Sequence, residues 1–146
     1  DPKTDFCIDC PAGKYSTYSN ATQCDECEAG KYKADIGNGA CTDCGAGKYS
    51  AADAATDESA CSDCPANSDA PAGSGAASDC ICNAGFTGAF TAGDVSASGT
   101  CQQCAEGKYK AEAGDDPCTD CGAGTYSSEV GARDGSACST CPQNSD

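Results

Sequence analysis

Fourteen of the sixteen cysteines in this 146-residue chain fall in seven Cys-x-x-Cys pairs: Cys7/Cys10, Cys24/Cys27, Cys41/Cys44, Cys61/Cys64, Cys101/Cys104, Cys118/Cys121 and Cys138/Cys141. The other two form the tighter Cys80-Ile81-Cys82. Nothing else in the sequence constrains folding so strongly, because little else is available to form a core. The chain has no Leu, Met, Trp or His, and its large aliphatics are Ile8, Ile36, Ile81, Val95 and Val130. Its 38% apolar content is mostly Ala and Cys, which bury little surface each. At about 25 cal/mol per Å² of apolar surface, such side chains do not offset an ordering entropy of about 1–2 kcal/mol per residue. A single compact core is therefore excluded. With a net charge of −15, the same chain without cross-links would read as disordered.

Disulfides reverse that expectation. Closing a loop of about 15 residues contributes roughly 3 kcal/mol in the chain-entropy model, and small domains without a core depend on such bridges. This density of cysteine belongs to an oxidising compartment, so the expected location is extracellular, secreted or at the cell or flagellar surface. No apolar run reaches transmembrane length and no signal-peptide pattern is present. We therefore expect no direct membrane insertion in this segment. Since residue 1 is Asp1 rather than Met, the chain reads as a mature product or a piece of something longer. Twenty-three acids against eight Lys and Arg argue against nucleic acid, whose recognition relies on neutralising phosphates.

The chain repeats itself. Tyr15, Tyr32 and Tyr49 are spaced by 17, as are Cys10, Cys27 and Cys44, each within the phrase Cys-x-x-Gly-Lys-Tyr. The phrase returns at Cys104–Tyr109, and at Cys121–Tyr126 with Thr125 in place of Lys. A variant, Cys82-Asn83-Ala84-Gly85-Phe86, ends in Phe. Over this lies a longer period: residues 24–69 align without a gap onto 101–146, with 28 of 46 positions identical. The resulting organisation is a partial cysteine-rich module at 1–23, one repeat copy at 24–69, a Cys-x-Cys EGF-like connecting module at 70–100 and a second copy at 101–146. Between cysteines, Gly, Ala, Ser, Asp, Asn and Pro dominate, which are turn formers. The fold expected is small, disulfide-rich and irregular, with short two-stranded β-ribbons at the Gly-Lys-Tyr stretches. Stacked end to end, the modules make an elongated rod.

If the second Cys of each pair bonds the first Cys of the next, every module becomes a closed loop. The bridges are then Cys10–Cys24, Cys27–Cys41, Cys44–Cys61, Cys64–Cys80, Cys82–Cys101, Cys104–Cys118 and Cys121–Cys138, with Cys7 and Cys141 pairing to flanking modules. A laddered alternative, Cys7–Cys24 with Cys10–Cys27, is also sterically open. Zinc is the rival use of these sulfurs, since paired Cys-x-x-Cys knuckles are zinc ligands. Against it stand the absence of His, the continuous run of pairs and the odd Cys80-x-Cys82.

The phrase Cys61-Ser-Asp-Cys64-Pro-Ala-Asn-Ser68, then Gly75, then Cys80-Ile-Cys82-Asn-Ala-Gly85-Phe86, resembles the cysteine-rich, EGF-like region of ephrin type-A/B receptors. The module from Cys10-Pro-Ala-Gly-Lys-Tyr15 to Cys24 is similar to the first loop of tumour-necrosis-factor-receptor repeats. Long Ala- and Asp-rich arrays of this kind resemble those of large extracellular proteins of algae and protists, including flagellar hairs (mastigonemes). The resemblance implies tandem extracellular modules; no kinase domain is present, so receptor signalling does not carry over.

The recurring aromatics Tyr15, Tyr32, Tyr49, Phe86, Tyr109 and Tyr126 are expected to cover each module's disulfide as a miniature core. The Gly before each allows a tight turn or a close backbone approach. Lys14, Lys31, Lys48 and Lys108 are expected in water or against acids on a neighbouring strand of an assembly. Asn20-Ala21-Thr22 is the one N-glycosylation sequon. Without His there is no common general base or triad, and carboxylates on polar loops have no apolar pocket to raise a pKa. Asp115-Asp116 and Asp25-Glu26 lack EF-hand spacing. The reading is a non-catalytic, acidic glycoprotein needing no cofactor: a structural section of an extracellular filament or cell-surface stalk, stiffened by serial disulfides. Neighbours would be joined through the two residues inside each Cys-x-x-Cys, as in a solenoid of nearest-neighbour contacts. Its partners would be itself or other filament and cell-surface proteins, with Phe90 or Phe6 as a lateral contact. The alternative is a ligand-binding ectodomain of a cell-surface receptor.

Overall fold

The computed structural model describes residues 9–18, 21–90 and 100–143. Seven disulfides join Cys10–Cys24, Cys27–Cys41, Cys44–Cys61, Cys64–Cys80, Cys82–Cys101, Cys104–Cys118 and Cys121–Cys138. They close loops 1 to 7 in chain order, with partners 14 to 19 residues apart. Cys10 thus bonds Cys24 rather than Cys27.

Among the described residues there is no α-helix, only fourteen two-residue strands in seven antiparallel ribbons and three single turns of 3-10 helix at Glu58–Ala60, Ala77–Asp79 and Gly135–Ala137. The ribbons are β1 (Lys14–Tyr15) with β2 (Asp25–Glu26), β3 (Lys31–Tyr32) with β4 (Thr42–Asp43), and β5 (Lys48–Tyr49) with β6 (Ser62–Asp63). Next come β7 (Ser68–Asp69) with β8 (Ile81–Cys82), and β9 (Phe86–Thr87) with β10 (Gln102–Gln103). The last two are β11 (Lys108–Tyr109) with β12 (Thr119–Asp120), and β13 (Thr125–Tyr126) with β14 (Ser139–Thr140). Most second strands are the two residues inside a Cys-x-x-Cys, so one segment both separates two disulfides and completes a ribbon.

The local cause of each ribbon is a β-turn ahead of its first strand. Lys14 N–H donates to Pro11 O, Lys31 to Glu28 O and Lys48 to Gly45 O. The third residue of each turn is the Gly of the repeated phrase, held at positive φ (+79° at Gly13, +83° at Gly30). A turn of this shape favours a residue without Cβ there. Before β7 the same place is taken by Asn67 at φ 64°, the residue type best able to substitute.

The chain divides into two compact units, Asp1–Cys64 with Ala70–Cys80, and Pro65–Asp69 with Ile81–Asp146. In the first, loops are stitched by backbone hydrogen bonds between successive modules. Gly13 N–H donates to Lys33 O, Gly30 N–H to Ser50 O, Lys33 N–H to Ala55 O and Ser50 N–H to Ser74 O, all at 2.8–3.0 Å. The second repeats the scheme: Gly85 N–H to Lys110 O, Gly107 N–H to Ser127 O and Lys110 N–H to Ala132 O. Parallel bridges Tyr32↔Ala55, Tyr49↔Ser74 and Tyr109↔Ala132 mark the same seams.

Contacts also reach the module after next. A Cβ on Gly13 would lie 2.2 Å from Ala54 O, one on Gly30 2.1 Å from Gly73 O, and one on Gly85 2.4 Å from Gly131 O. The loops that supply these carbonyls are fixed in turn on the module between, where Ala54 N–H donates to Cys27 O, Gly73 N–H to Cys44 O and Gly131 N–H to Cys104 O. A purely nearest-neighbour array joined only through Cys-x-x-Cys is therefore too simple. The glycine lets the backbone of a loop more than forty residues onward rest on the ribbon turn.

The interior is sulfur and small side chains. Cys10, Cys27, Cys44, Cys80, Cys82 and Cys104 are fully buried, with Ala21, Ala55, Ala70, Ala77 and Ala132 and the hydroxyls of Ser16, Ser50, Ser74 and Ser127 around them. Tyr15, Tyr32, Tyr49, Phe86 and Tyr109 are half-buried and Tyr126 is exposed.

Candidate functional site

The chemistry this chain carries is a surface repeated along it. Where the Gly-Lys-Tyr phrase places a lysine on the first strand, the register sets an acid opposite. Lys14 pairs with Glu26 at 3.1 Å, Lys31 with Asp43 at 2.6 Å, Lys48 with Asp63 at 2.9 Å, and Lys108 with Asp120. These lysines remain exposed to water, and they bond the opposite strand of their own ribbon instead of a neighbouring strand of an assembly. Hydrogen bonding to Asp43 and its charge hold the Lys31 ammonium above its usual pKa, and Asp63 does the same for Lys48. All four pairs are solvent-exposed and add little to stability; they consume the repeated positive charge. The sequence signal lay in the second x of the next Cys-x-x-Cys, which is Glu26, Asp43, Asp63 or Asp120 where the phrase holds Lys. Where Thr125 replaces Lys, its register partner is Thr140.

Two lysines that spacing alone did not single out are buried. Lys33 and Lys110, equivalent across the 77-residue shift, follow their tyrosines, where Ser16, Ser50 and Ser127 stand in other modules. Lys33 Nζ donates to Asp35 O at 2.8 Å and Gly37 O at 2.6 Å. Lys110 Nζ donates to Phe86 O at 2.9 Å and to Gly114 O. Each ammonium gathers carbonyls that would otherwise lack donors, which is the condition for burying it.

Asp57 and Asp134 cap their 3-10 turns by accepting the backbone N–H of Ser59 and Ser136, each at 2.7 Å. Hydrogen bonds from the serine, side chain first and backbone second, hold both carboxyls below the usual carboxylate range. That is the opposite of the upward shift a general acid needs. The fourteen sulfurs in S–S bonds do not present the thiolates a zinc knuckle requires. Among the described residues no group of three or more His, Cys, Asp or Glu is placed to hold a metal. The surface concavities are open, such as one of about 400 Å³ lined by Ser16, Tyr18, Ala21, Thr22, Gln23 and Asp25.

Of the other positions singled out above, Cys7, Asn20 and Phe6 lie outside the described residues. Cys141 is exposed and has no disulfide partner among the described residues. Phe90 is half-buried.

Fold and surface together define a class: a tandem array of small disulfide-closed modules whose recurring groups serve one another. Residues 13–61 and 91–138, together well over half of the chain, match the family model described as tyrosine-protein kinase ephrin type A/B receptor-like. The chain belongs to this ephrin-receptor-like family of cysteine-rich repeats. No curated protein matches the chain. Modules of this family are structural or binding units of extracellular domains, and serial disulfides suit that compartment. No helix among the described residues is long and apolar enough to cross a membrane.

Proposed function

We propose that the chain is a non-catalytic structural section of an extracellular filament or cell-surface stalk, flagellar hairs included. The observation that carries this reading is the uniform seam. In each unit the same atoms, the Gly N–H, the N–H after the aromatic and the carbonyl of the second Cys in a pair, join one module to the next. A repeating junction transmits bending and tension through covalent sulfur and backbone hydrogen bonds without needing a hydrophobic core. The lysines that could otherwise offer a binding surface are spent inside the ribbons. The surplus of acids keeps the array soluble, and glycans, at Asn20 among other places, would shield it further.

The family match favours one other reading, a ligand-binding ectodomain of a receptor. It requires a unique epitope, whereas this chain offers near-copies of one surface. Electron microscopy of the native material tests the choice: filaments or stalks with a module repeat support the structural reading, and isolated globular particles refute it. A membrane-spanning helix followed by a cytoplasmic enzyme in the full gene product would favour the receptor.

A further inference from the structure

Asn38-Gly39, in loop 2, is the one Asn-Gly dipeptide in the chain. Asparagine is chemically labile, because the backbone nitrogen of the next residue can attack its side-chain carbonyl. Glycine in that next place leaves the approach unobstructed and the backbone free to reach it. Gly39 is exposed, and its N–H has no partner among the described residues. Thr56 and Arg133 hold the corresponding place in loops 3 and 7, each with the two preceding modules of its unit present. Both are likewise exposed, and their N–H groups have no partner among the described residues. The accessible nitrogen is therefore a property of the position within an array. The other described asparagines differ. Asn67 is followed by Ser68, whose N–H donates to Pro65 O at 3.2 Å, and Asn83 by Ala84, whose methyl crowds the approach.

The same asparagine stitches loop 2 to loop 1. Its Oδ1 accepts Cys10 N–H at 3.2 Å, its Nδ2 donates to Tyr18 O at 3.4 Å, and its backbone carbonyl accepts Ser16 N–H at 3.4 Å. Gly37, one residue earlier, donates its N–H to Cys10 O at 2.8 Å. At other seams the accepting carbonyl belongs to Ala55, Ser74 or Ala132, none of which has a side-chain amide. In the second repeat copy Asp115 and Asp116 stand where Asn38 and Gly39 stand in the first. There Thr87 Oγ1 donates to Asp116 O at 3.5 Å instead. An aspartate is thus accommodated at this place in a seam.

We propose that Asn38 is a self-modifying site, whose conversion to aspartate and isoaspartate is timed by the seam between loops 1 and 2 and in turn loosens it. The Gly39 nitrogen gives its proton to solvent base and bonds to Asn38 Cγ. The Cγ–Nδ2 bond breaks, and Nδ2 takes a proton from water and leaves as ammonia. Water then opens the five-membered imide. Cleavage between nitrogen and Cγ gives aspartate, and cleavage between nitrogen and the backbone carbonyl carbon gives isoaspartate. While the seam is closed, Cys10 N–H and Tyr18 O hold the carboxamide against loop 1, and both bonds open before Cγ turns to the Gly39 nitrogen. Afterwards the Nδ2 donor is gone and a carboxylate faces Tyr18 O, so that bond does not re-form. Isoaspartate also reroutes the main chain through Cβ and Cγ, displacing the carbonyl that accepts Ser16 N–H. The reaction requires neither a filament nor a receptor, so it stands or falls separately from the proposed function.

The test ages the whole disulfide-bonded chain in mildly alkaline buffer at body temperature. Peptide mass spectrometry follows each asparagine, labelling by an isoaspartyl methyltransferase counts isoaspartate, and amide exchange follows the seam. Asn38 should convert ahead of Asn67 and Asn83. Its rate should lie about tenfold or more below that in the reduced and alkylated chain, as two hydrogen bonds that open first require. Gly39→Ala should slow conversion severalfold and leave the seam as protected as in the parent. Gly39 is not at positive φ, and Thr56 and Arg133 carry side chains at that position. Asn38→Asp, which Asp115 shows to be compatible with the fold, should lower protection of the Gly37 and Ser16 amides by about fivefold, and the aged parent should come to match it. The proposal is overturned if Asn38 stays intact in the folded chain, or converts there as fast as in the reduced one. It is equally overturned if Asn67 or Asn83 converts first, if Gly39→Ala leaves the rate unchanged, or if Asn38→Asp keeps the parent's protection at both amides.

Discussion

Replacing Gly30 and Gly124 by alanine separates two reasons for a glycine in the repeated phrase. Both have positive φ, +83° and +78°, so alanine at either incurs the left-handed penalty of roughly 1–2 kcal/mol. They differ in what lies above them. The new methyl at Gly30 would sit 2.1 Å from Gly73 O and 2.6 Å from its carbonyl carbon, whereas at Gly124 nothing lies within 4 Å. At Gly30 the loop containing Gly73 must lift. That puts at risk Gly30 N–H to Ser50 O, Ser50 N–H to Ser74 O and Gly73 N–H to Cys44 O, each worth about 1 kcal/mol net. The expected cost is therefore roughly 3–5 kcal/mol for Gly30→Ala and roughly 1–2 kcal/mol for Gly124→Ala. Because serial modules need not unfold in one step, native-state amide exchange is the appropriate readout. Protection at Gly73 and Ser50 should fall by about 100-fold or more in Gly30→Ala. Protection at Cys141 N–H, which donates to Gly124 O, should fall by about tenfold in Gly124→Ala. Equal, small losses in the two variants would refute the second-neighbour contact as a source of stability.

Two further outcomes are expected. Proteolysis and mass spectrometry without reduction should recover peptides joined as Cys10–Cys24, Cys27–Cys41 and onward through Cys121–Cys138, and a peptide joining Cys7 to Cys24 would overturn that framework. Asp57 and Asp134 have pKa values below the unperturbed 3.8 in the folded chain. Their caps therefore favour the fold above 3.8 and lose that contribution as pH falls from 3.8 through the lower folded value. NMR titration of the side-chain carbonyl carbons should give midpoints below 3.8 for both, with Ser59→Ala raising that of Asp57 alone. A midpoint at or above 3.8 in the parent protein would sink the capping account.

Much of the fold was legible because cysteine spacing is a local code. A pair every 14 to 19 residues leaves loops too short for anything but a ribbon and a turn, and the Gly before each aromatic announces the turn. The Lys–acid pairing was equally local and present in the sequence, since each acid sits at the second x of the next Cys-x-x-Cys. It escaped notice because a lysine in an acidic, polar chain looks solvated until its strand partner is known. What spacing did not reveal is whatever depends on how modules stack. Lys33 and Lys110 are charged residues in a position where other modules use serine. Carbonyls of their own loops, Asp35 and Gly37 for Lys33 and Gly114 for Lys110, joined at Lys110 by Phe86 O of the preceding loop, turn burial of an ammonium from a penalty into a satisfied site. The backbone of Tyr32, Tyr49 and Tyr109 lies at the seams, bridged to Ala55, Ser74 and Ala132, a placement that depends on stacking and not on spacing. The repeated phrase therefore encodes an interface as much as a module: glycine to admit a neighbour's backbone, lysine to hold the ribbon, tyrosine to border the joint. A chain built this way gains its stability at the joints between modules, where each copy of the phrase meets the next.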